Sequence, residues 1–149
     1  MEKQDLILAK KRLSKEKMLT LTIAKNGEII FETYSHGISG FLEAVEKLGD
    51  TLNGASVADK VVGKAIALLC VYTNVKMVYA VTLSREAKKF FEKHGVYHEW
   101  DELVENILDF KKAGVCPFEK LATEISNPKE AYKRLKALQN SLKMADETP

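Results

Sequence analysis

The chain is short of most features that mark a specialised environment. Its two cysteines, Cys70 and Cys116, are too few for the disulfide framework of a small secreted domain. They are also too few for a closed zinc site built from cysteine alone, which takes four ligands. No apolar run reaches the ~18 residues that cross a bilayer, and Met1-Glu2-Lys3-Gln4-Asp5 lacks the basic-then-apolar order of a signal peptide. Neither sign of charge dominates. The 23 basic and 21 acidic side chains leave a net charge of +2, no field strong enough to imply a nucleic-acid partner. The Lys10-Lys11-Arg12 and Lys111-Lys112 clusters read as solvated surface. These absences lead to the expectation of a cytoplasmic protein with no membrane span, no nucleic-acid partner, no resident metal and no cofactor.

What is present is an ordinary apolar fraction, 46% of 149 residues, enough to bury the core of one domain. Residues 3–16 carry Leu6, Ile7, Ala9 and Leu13 at helical spacing among charges, which predicts an amphipathic helix. Two strand-like runs, 18–24 and 28–33, are separated by Asn26-Gly27, the pair that tolerates the positive φ of a type I′ hairpin. Ser39 then caps a helix to Leu48 that Gly49 ends. Residues 55–72, the most apolar stretch, read as one buried helix, followed by a central strand over 75–83. Ser84 caps a helix to His94, Gly95 ends it, and 96–100 is a short strand. Asp101 caps a helix carrying Leu103, Val104, Ile107 and Leu108, and 109–115 is a loop. Pro117 suits a first helical position after Cys116, and 128–144 form a last amphipathic helix before a frayed tail. A hairpin followed by strand–helix alternation predicts a three-layer α/β/α sandwich on a mixed sheet of four or five strands, in a single domain.

Two helix starts attract chemistry. One is Gly54-Ala55-Ser56-Val57-Ala58-Asp59-Lys60 and the other is Cys116-Pro117-Phe118-Glu119. Unpaired N–H groups and partial positive charge at such starts bind anions and lower the pKa of a cysteine. If they converge at one sheet edge, Ser56, Asp59, Lys60, Lys64 and Cys116 form a polar pocket. The plainer account has Ser56 as a cap, Asp59 favouring the dipole and Cys116 as a small buried residue, and on pattern alone it is preferred. A phosphate loop does not fit, because Ala65 follows Gly63-Lys64 and Ala58 stands where the first glycine belongs. His36, His94, His98 and the cysteines show no Cys-x-x-Cys or His-Glu-x-x-His spacing.

The hairpin Leu19 to Glu32, the run Ala55-Ser56-Val57-Ala58-Asp59-Lys60-Val61-Val62-Gly63-Lys64, and Val115-Cys116-Pro117-Phe118-Glu119-Lys120-Leu121 together carry a family resemblance. Over 18–122 the chain resembles a prokaryotic family of unknown function, family 1893, whose members have a cytidine-deaminase-like fold; 128–144 would be a helical extension. The resemblance implies a pocket at the two helix starts. Zinc deaminases place His/Cys-x-Glu at one start and Pro-Cys-x-x-Cys at the other. Here the first offers neither histidine nor cysteine and the second a single cysteine, so the ligand set is missing and zinc-dependent deamination is not expected.

With the resemblance, the favoured reading is a protein that binds a small anionic or nucleotide-like ligand through Gly54, Ser56, Lys60, Lys64 and Glu119. A second reading is a metal-independent enzyme with Cys116 as nucleophile, Lys60 lowering its pKa and Asp59 moving protons. A third is an interaction module without small-molecule chemistry. By analogy with deaminases, a homodimer is the expected assembly.

Overall fold

The computed structural model describes residues 3–108 and 114–147. Its elements, in chain order, are α1 (Gln4–Lys15), β1 (Leu21–Lys25), β2 (Glu28–Thr33), α2 (Ile38–Leu48), a 3₁₀ turn (Gly49–Leu52) and β3 (Ser56–Val62). They continue with α3 (Lys64–Tyr72), β4 (Met77–Ser84), α4 (Arg85–His94), β5 (Tyr97–Val104), α5 (Pro117–Ala122) and α6 (Pro128–Glu147). The five strands form one mixed sheet in the order β2-β1-β3-β4-β5. β1 is antiparallel to both β2 and β3, and β3, β4 and β5 run parallel. Helices on both faces complete the expected α/β/α sandwich.

The hairpin closes as its sequence predicts, with φ of 53° at Asn26 and 80° at Gly27. Its turn is tied to the start of α1, because the Asp5 carboxylate accepts the N–H groups of Asn26 (3.0 Å) and Gly27 (2.8 Å). Ser84 caps α4 by accepting the Ala87 N–H at 3.1 Å, and Gly95 ends that helix in the left-handed region at φ 70°. Gly37, not Ser39, stands at the start of α2; the Ser39 hydroxyl instead accepts a hydrogen bond from Gln139 on α6.

Two expected helices are corrected. Residues 55–72 are not one helix: 56–62 form β3, Gly63 turns the chain, and α3 begins at Lys64. Burial on both faces of a central parallel strand gives a continuous apolar run that periodicity does not separate from a buried helix. The β-branched Val57, Val61 and Val62 are the local sign of the strand. Likewise Asp101 starts no helix. β5 runs through Val104, paired with β4 up to Ser84–Val104, and Leu108 forms an isolated bridge with Val115. Parallel pairing along β4 overrides the weak helical spacing. Within the expected loop over 109–115, residues 109–113, with the Lys111-Lys112 cluster, lie outside the described residues, as do 148 and 149 of the tail; α6 extends through 147.

The faces of the sheet are covered unequally. On one side Val57, Val78 and Ala80 pack beneath the helices after the hairpin, around Phe41, Leu42, Leu68, Leu69 and Phe91. α3 is buried nearly all round, from Ala65 to Cys70. On the other side Ala24, Ala58, Met77 and Tyr79 meet Leu6, Ala9 and Leu13 of α1, the one helix contributing to that cluster among the described residues.

Candidate functional site

The residues singled out in the sequence fall in four places. Gly54 and Ser56 lie at the edge of the sheet where β3 begins, around a polar cavity of about 220 Å³ shared with Gln4, Asp5, Asn26 and Lys76. Asp59, with Val57, faces the α3 side and is 6% exposed. Lys60 faces the α1 side. Lys64, Glu119 and Cys116 gather where α3 and α5 begin, at the opposite end of β3.

The last cluster is the convergence of two helix starts that the sequence suggests, with α3 beginning at Lys64 instead of near Ser56. Its anion seat is filled by the protein itself. The Glu119 carboxylate accepts the Lys64 N–H at 2.7 Å and the Ala65 N–H at 2.9 Å, capping α3 with a second helix's side chain. Burial pushes the Glu119 pKa up, opposed by those two N–H groups and the Lys64 charge. Gly63 makes the fit possible, since a Cβ there would lie 1.9 Å from Glu119 Oε1. The cavity left beside the clasp is only about 40 Å³. Cys116 precedes α5 by one residue and is half-buried.

Asp59 is a buried acid on the helix side. Its carboxylate accepts the Val61 N–H at 3.2 Å, but burial dominates and pushes its pKa to about 7. Burial, with the Asp59 charge added, also raises the Cys70 thiol well above its usual value. Lys60 points to the α1 side of the sheet, whereas α5, which Cys116 immediately precedes, packs on α3 on the other side.

Lys60 leads to a cavity on the α1 side. Its ammonium donates to the Lys17 carbonyl at the end of α1. Together with Lys10, Lys11 and Lys17 it rims a groove of about 630 Å³ between α1 and the sheet. The apolar part of the lining is Ile7, Leu13 and Val81. Lys10 is engaged, 2.6 Å from Glu99 and 4.5 Å from the centroid of the Tyr79 ring. Burial alone would raise the Glu99 pKa, but hydrogen bonds from Lys10 and Tyr97 outweigh it and hold the carboxyl below its ordinary value. The Tyr79 hydroxyl donates to Asp101 at 2.5 Å, and burial together with that carboxylate raises its pKa to about 12. Lys11, Lys17 and Lys60 have no carboxylate partner among the described residues. The sequence singles out Lys60 and reads Lys10 and Lys11 as solvated surface, which fits Lys11, exposed here, but does not foresee their place on the rim of this groove. The available signal was their place on an amphipathic helix whose apolar side had to cover a sheet face.

Comparison with known proteins fixes the family. The profile of a domain of unknown function, DUF1893, matches residues 8–138. The chain belongs to the DUF1893 family. A crystal structure of a DUF1893 family protein from Thermotoga maritima shares 31% identity with this DUF1893 chain, at a TM-score of 0.83 over 92% of this chain and 91% of that one. Two more distant structures also match. One is a diaminohydroxyphosphoribosylaminopyrimidine deaminase/5-amino-6-(5-phosphoribosylamino)uracil reductase from T. maritima, at 20% identity and TM-score 0.45 over 71% of this chain and 34% of that one. The other is Acinetobacter baumannii RibD, at 18% identity and TM-score 0.45 over 89% and 40%. Likeness at that level says nothing of this chain's chemistry. No curated protein matches. Among the described residues of this DUF1893 protein, no group of three or more His, Cys, Asp or Glu side chains is placed to hold a metal ion, and no helix is long and apolar enough to cross a membrane.

Proposed function

We propose that this protein binds a small anionic, nucleotide-like ligand in the groove between α1 and the sheet. The observation that carries the reading is the rim of Lys10, Lys11, Lys17 and Lys60 around about 630 Å³ of space with an apolar lining. That volume lies in the range of sites that enclose small molecules. Three of the ammonium groups lack carboxylate partners among the described residues, so an incoming phosphate or carboxylate meets positive charge without first breaking an ion pair. Ile7, Leu13 and Val81 offer an apolar surface to the body of the ligand. This moves the ligand expected from the sequence away from the helix starts, where Glu119 already holds the α3 N–H groups.

The test is a thermal-shift and calorimetric panel of nucleosides, nucleotides and phosphorylated metabolites against wild type, Lys17→Ala and Lys60→Ala. A ligand of this kind raises the wild-type midpoint, because only native-state binders stabilise. It does so less in each variant, and the effect weakens with added salt. A flat panel at millimolar concentration, or a shift that both variants keep in full, refutes the reading.

A further inference from the structure

A second cavity, of about 440 Å³, lies on the other side of the sheet and takes no part in the lysine groove. It opens between the end of α2, the 3₁₀ turn, the end of α3 and α6, and its lining includes Asp50, Asn53, Tyr72, Thr73, Asn74 and Tyr132. Two features give it a chemical character opposite to that of the groove.

The first is aromatic. Tyr72 at the end of α3 and Tyr132 on α6 stand nearly parallel, 11° between ring planes and 6.2 Å between centroids. Both tyrosines line the cavity, and Tyr72 keeps 40% of its surface exposed, so the pair is not sealed in the core. Aromatic faces carry negative quadrupole density and attract cations.

The second is electrostatic. Asp50 is the single charged residue in the lining. Thr73 and Asn74 bring the C-terminal end of α3 to the same wall; the Leu69, Cys70 and Val71 carbonyls there already accept the N–H groups of Thr73, Val75 and Asn74, so that end contributes the negative side of the helix dipole and no open acceptor from those three. Lys25 reaches the same turn, but its ammonium is held on the Thr51 carbonyl at 2.9 Å and does not line the cavity. Aromatic faces, a carboxylate and a helix C-terminus all favour positive charge. The amides of Asn53 and Asn74 add neutral hydrogen-bonding capacity.

We propose that this cavity is a binding site for an organic cation, an alkylated or quaternary ammonium group. The ammonium packs its alkyl surface against Tyr72 and Tyr132 while Asp50 and the end of α3 balance its charge. A fully hydrated metal ion is a poorer occupant, since one carboxylate and ring faces do not replace its oxygen ligands.

The test is an NMR titration of the ¹⁵N-labelled full-length protein with choline, and in parallel with 3,3-dimethylbutan-1-ol, its neutral isostere. Choline is expected to shift the amide resonances of Asn53, Thr73 and Asn74 saturably at millimolar concentration, and the neutral isostere to bind roughly tenfold more weakly. Tyr72→Phe should keep the affinity and Asp50→Asn should weaken it about threefold at low ionic strength. Equal binding of the two ligands to wild type overturns the proposal whatever the variants do. So does the absence of any saturable shift near the cavity, or shifts confined to the α1 groove.

Discussion

Replacing Gly63 with alanine tests the contact that closes the convergence of α3 and α5. Gly63 has φ −106° and ψ −174°, extended backbone that alanine adopts without strain. Any penalty in the folded state is therefore steric. The new Cβ would sit 1.9 Å from Glu119 Oε1, 2.3 Å from Cδ and 2.8 Å from Oε2, so the carboxylate must leave its seat. Two hydrogen bonds to a charged acceptor are lost, each worth about 1.5–3 kcal/mol. Part of that is offset, because burial already opposes the charge on Glu119 and eviction relieves it. A net destabilisation of about 2–4 kcal/mol remains, which for a domain of this size lowers the midpoint by roughly 5–12 °C.

The assay is urea and thermal unfolding of wild type, Gly63→Ala, Glu119→Ala and the double variant. If the clash with Glu119 is the cause, Gly63→Ala costs almost nothing in the Glu119→Ala background. Lower entropy of the unfolded chain should make it slightly favourable there, by up to about 0.4–1 kcal/mol. A Gly63→Ala variant within about 0.5 kcal/mol of wild type would refute the reasoning. So would an equal penalty with and without Glu119, since the coupling is the substance of the claim.

Further consequences concern single sites. Asp59 has its pKa displaced from 3.8 to about 7 by burial. A raised folded pKa contributes stability that is complete below about 3.8 and lost as pH rises towards about 7, up to about 4 kcal/mol in all. Asp59→Asn should therefore flatten the stability profile between those limits and be more stable than wild type at pH above 7, as urea midpoints against pH will show. Gly27→Ala forces a side chain into φ 80° in the hairpin turn and should cost about 1 kcal/mol in the same assay. Cys70 is fully buried with a raised pKa, so a thiol reagent at pH 8 should modify Cys116 in the native protein and reach Cys70 only on unfolding, read by peptide mass analysis.

The parts of the fold legible in the sequence are those written in local chemistry. Asn26-Gly27 fixes a turn through backbone conformation, Ser84 and Gly95 bracket α4, and the spacing of Leu6, Ala9 and Leu13 gives α1 its buried stripe. The parts that were not legible are decided by pairing partners far along the chain. Nothing within 97–108 says that β4 will extend β5 past Trp100 to Val104. Within 55–72 the two faces of β3 are both buried, so its apolar residues do not alternate with polar ones until Asp59 and Lys60.

That single ambiguity also governed the site. Read as helix, Ser56, Asp59 and Lys60 stand at i, i+3 and i+4 and share one face, where they make a ready polar cluster. Read as strand, adjacent residues point to opposite faces, and Asp59 and Lys60 part company across the sheet. The carboxylate is then buried against the α3 side while the ammonium reaches the end of α1. A lysine that seemed to belong with Cys116 instead joins Lys10, Lys11 and Lys17, residues some fifty positions upstream whose place opposite it only the sheet creates. The anion site proposed above thus lies away from the helix starts where the sequence placed it, because a strand sends Lys60 to the α1 side of the sheet. Charge reversal separates the two geometries. Lys60→Glu should abolish anion binding in the α1 groove, as measured by calorimetry, and leave the rate of Cys116 alkylation within about twofold of wild type, since the sheet lies between them. A change of tenfold or more in that rate would place Lys60 beside Cys116 after all, and the strand-based account of the site would fall.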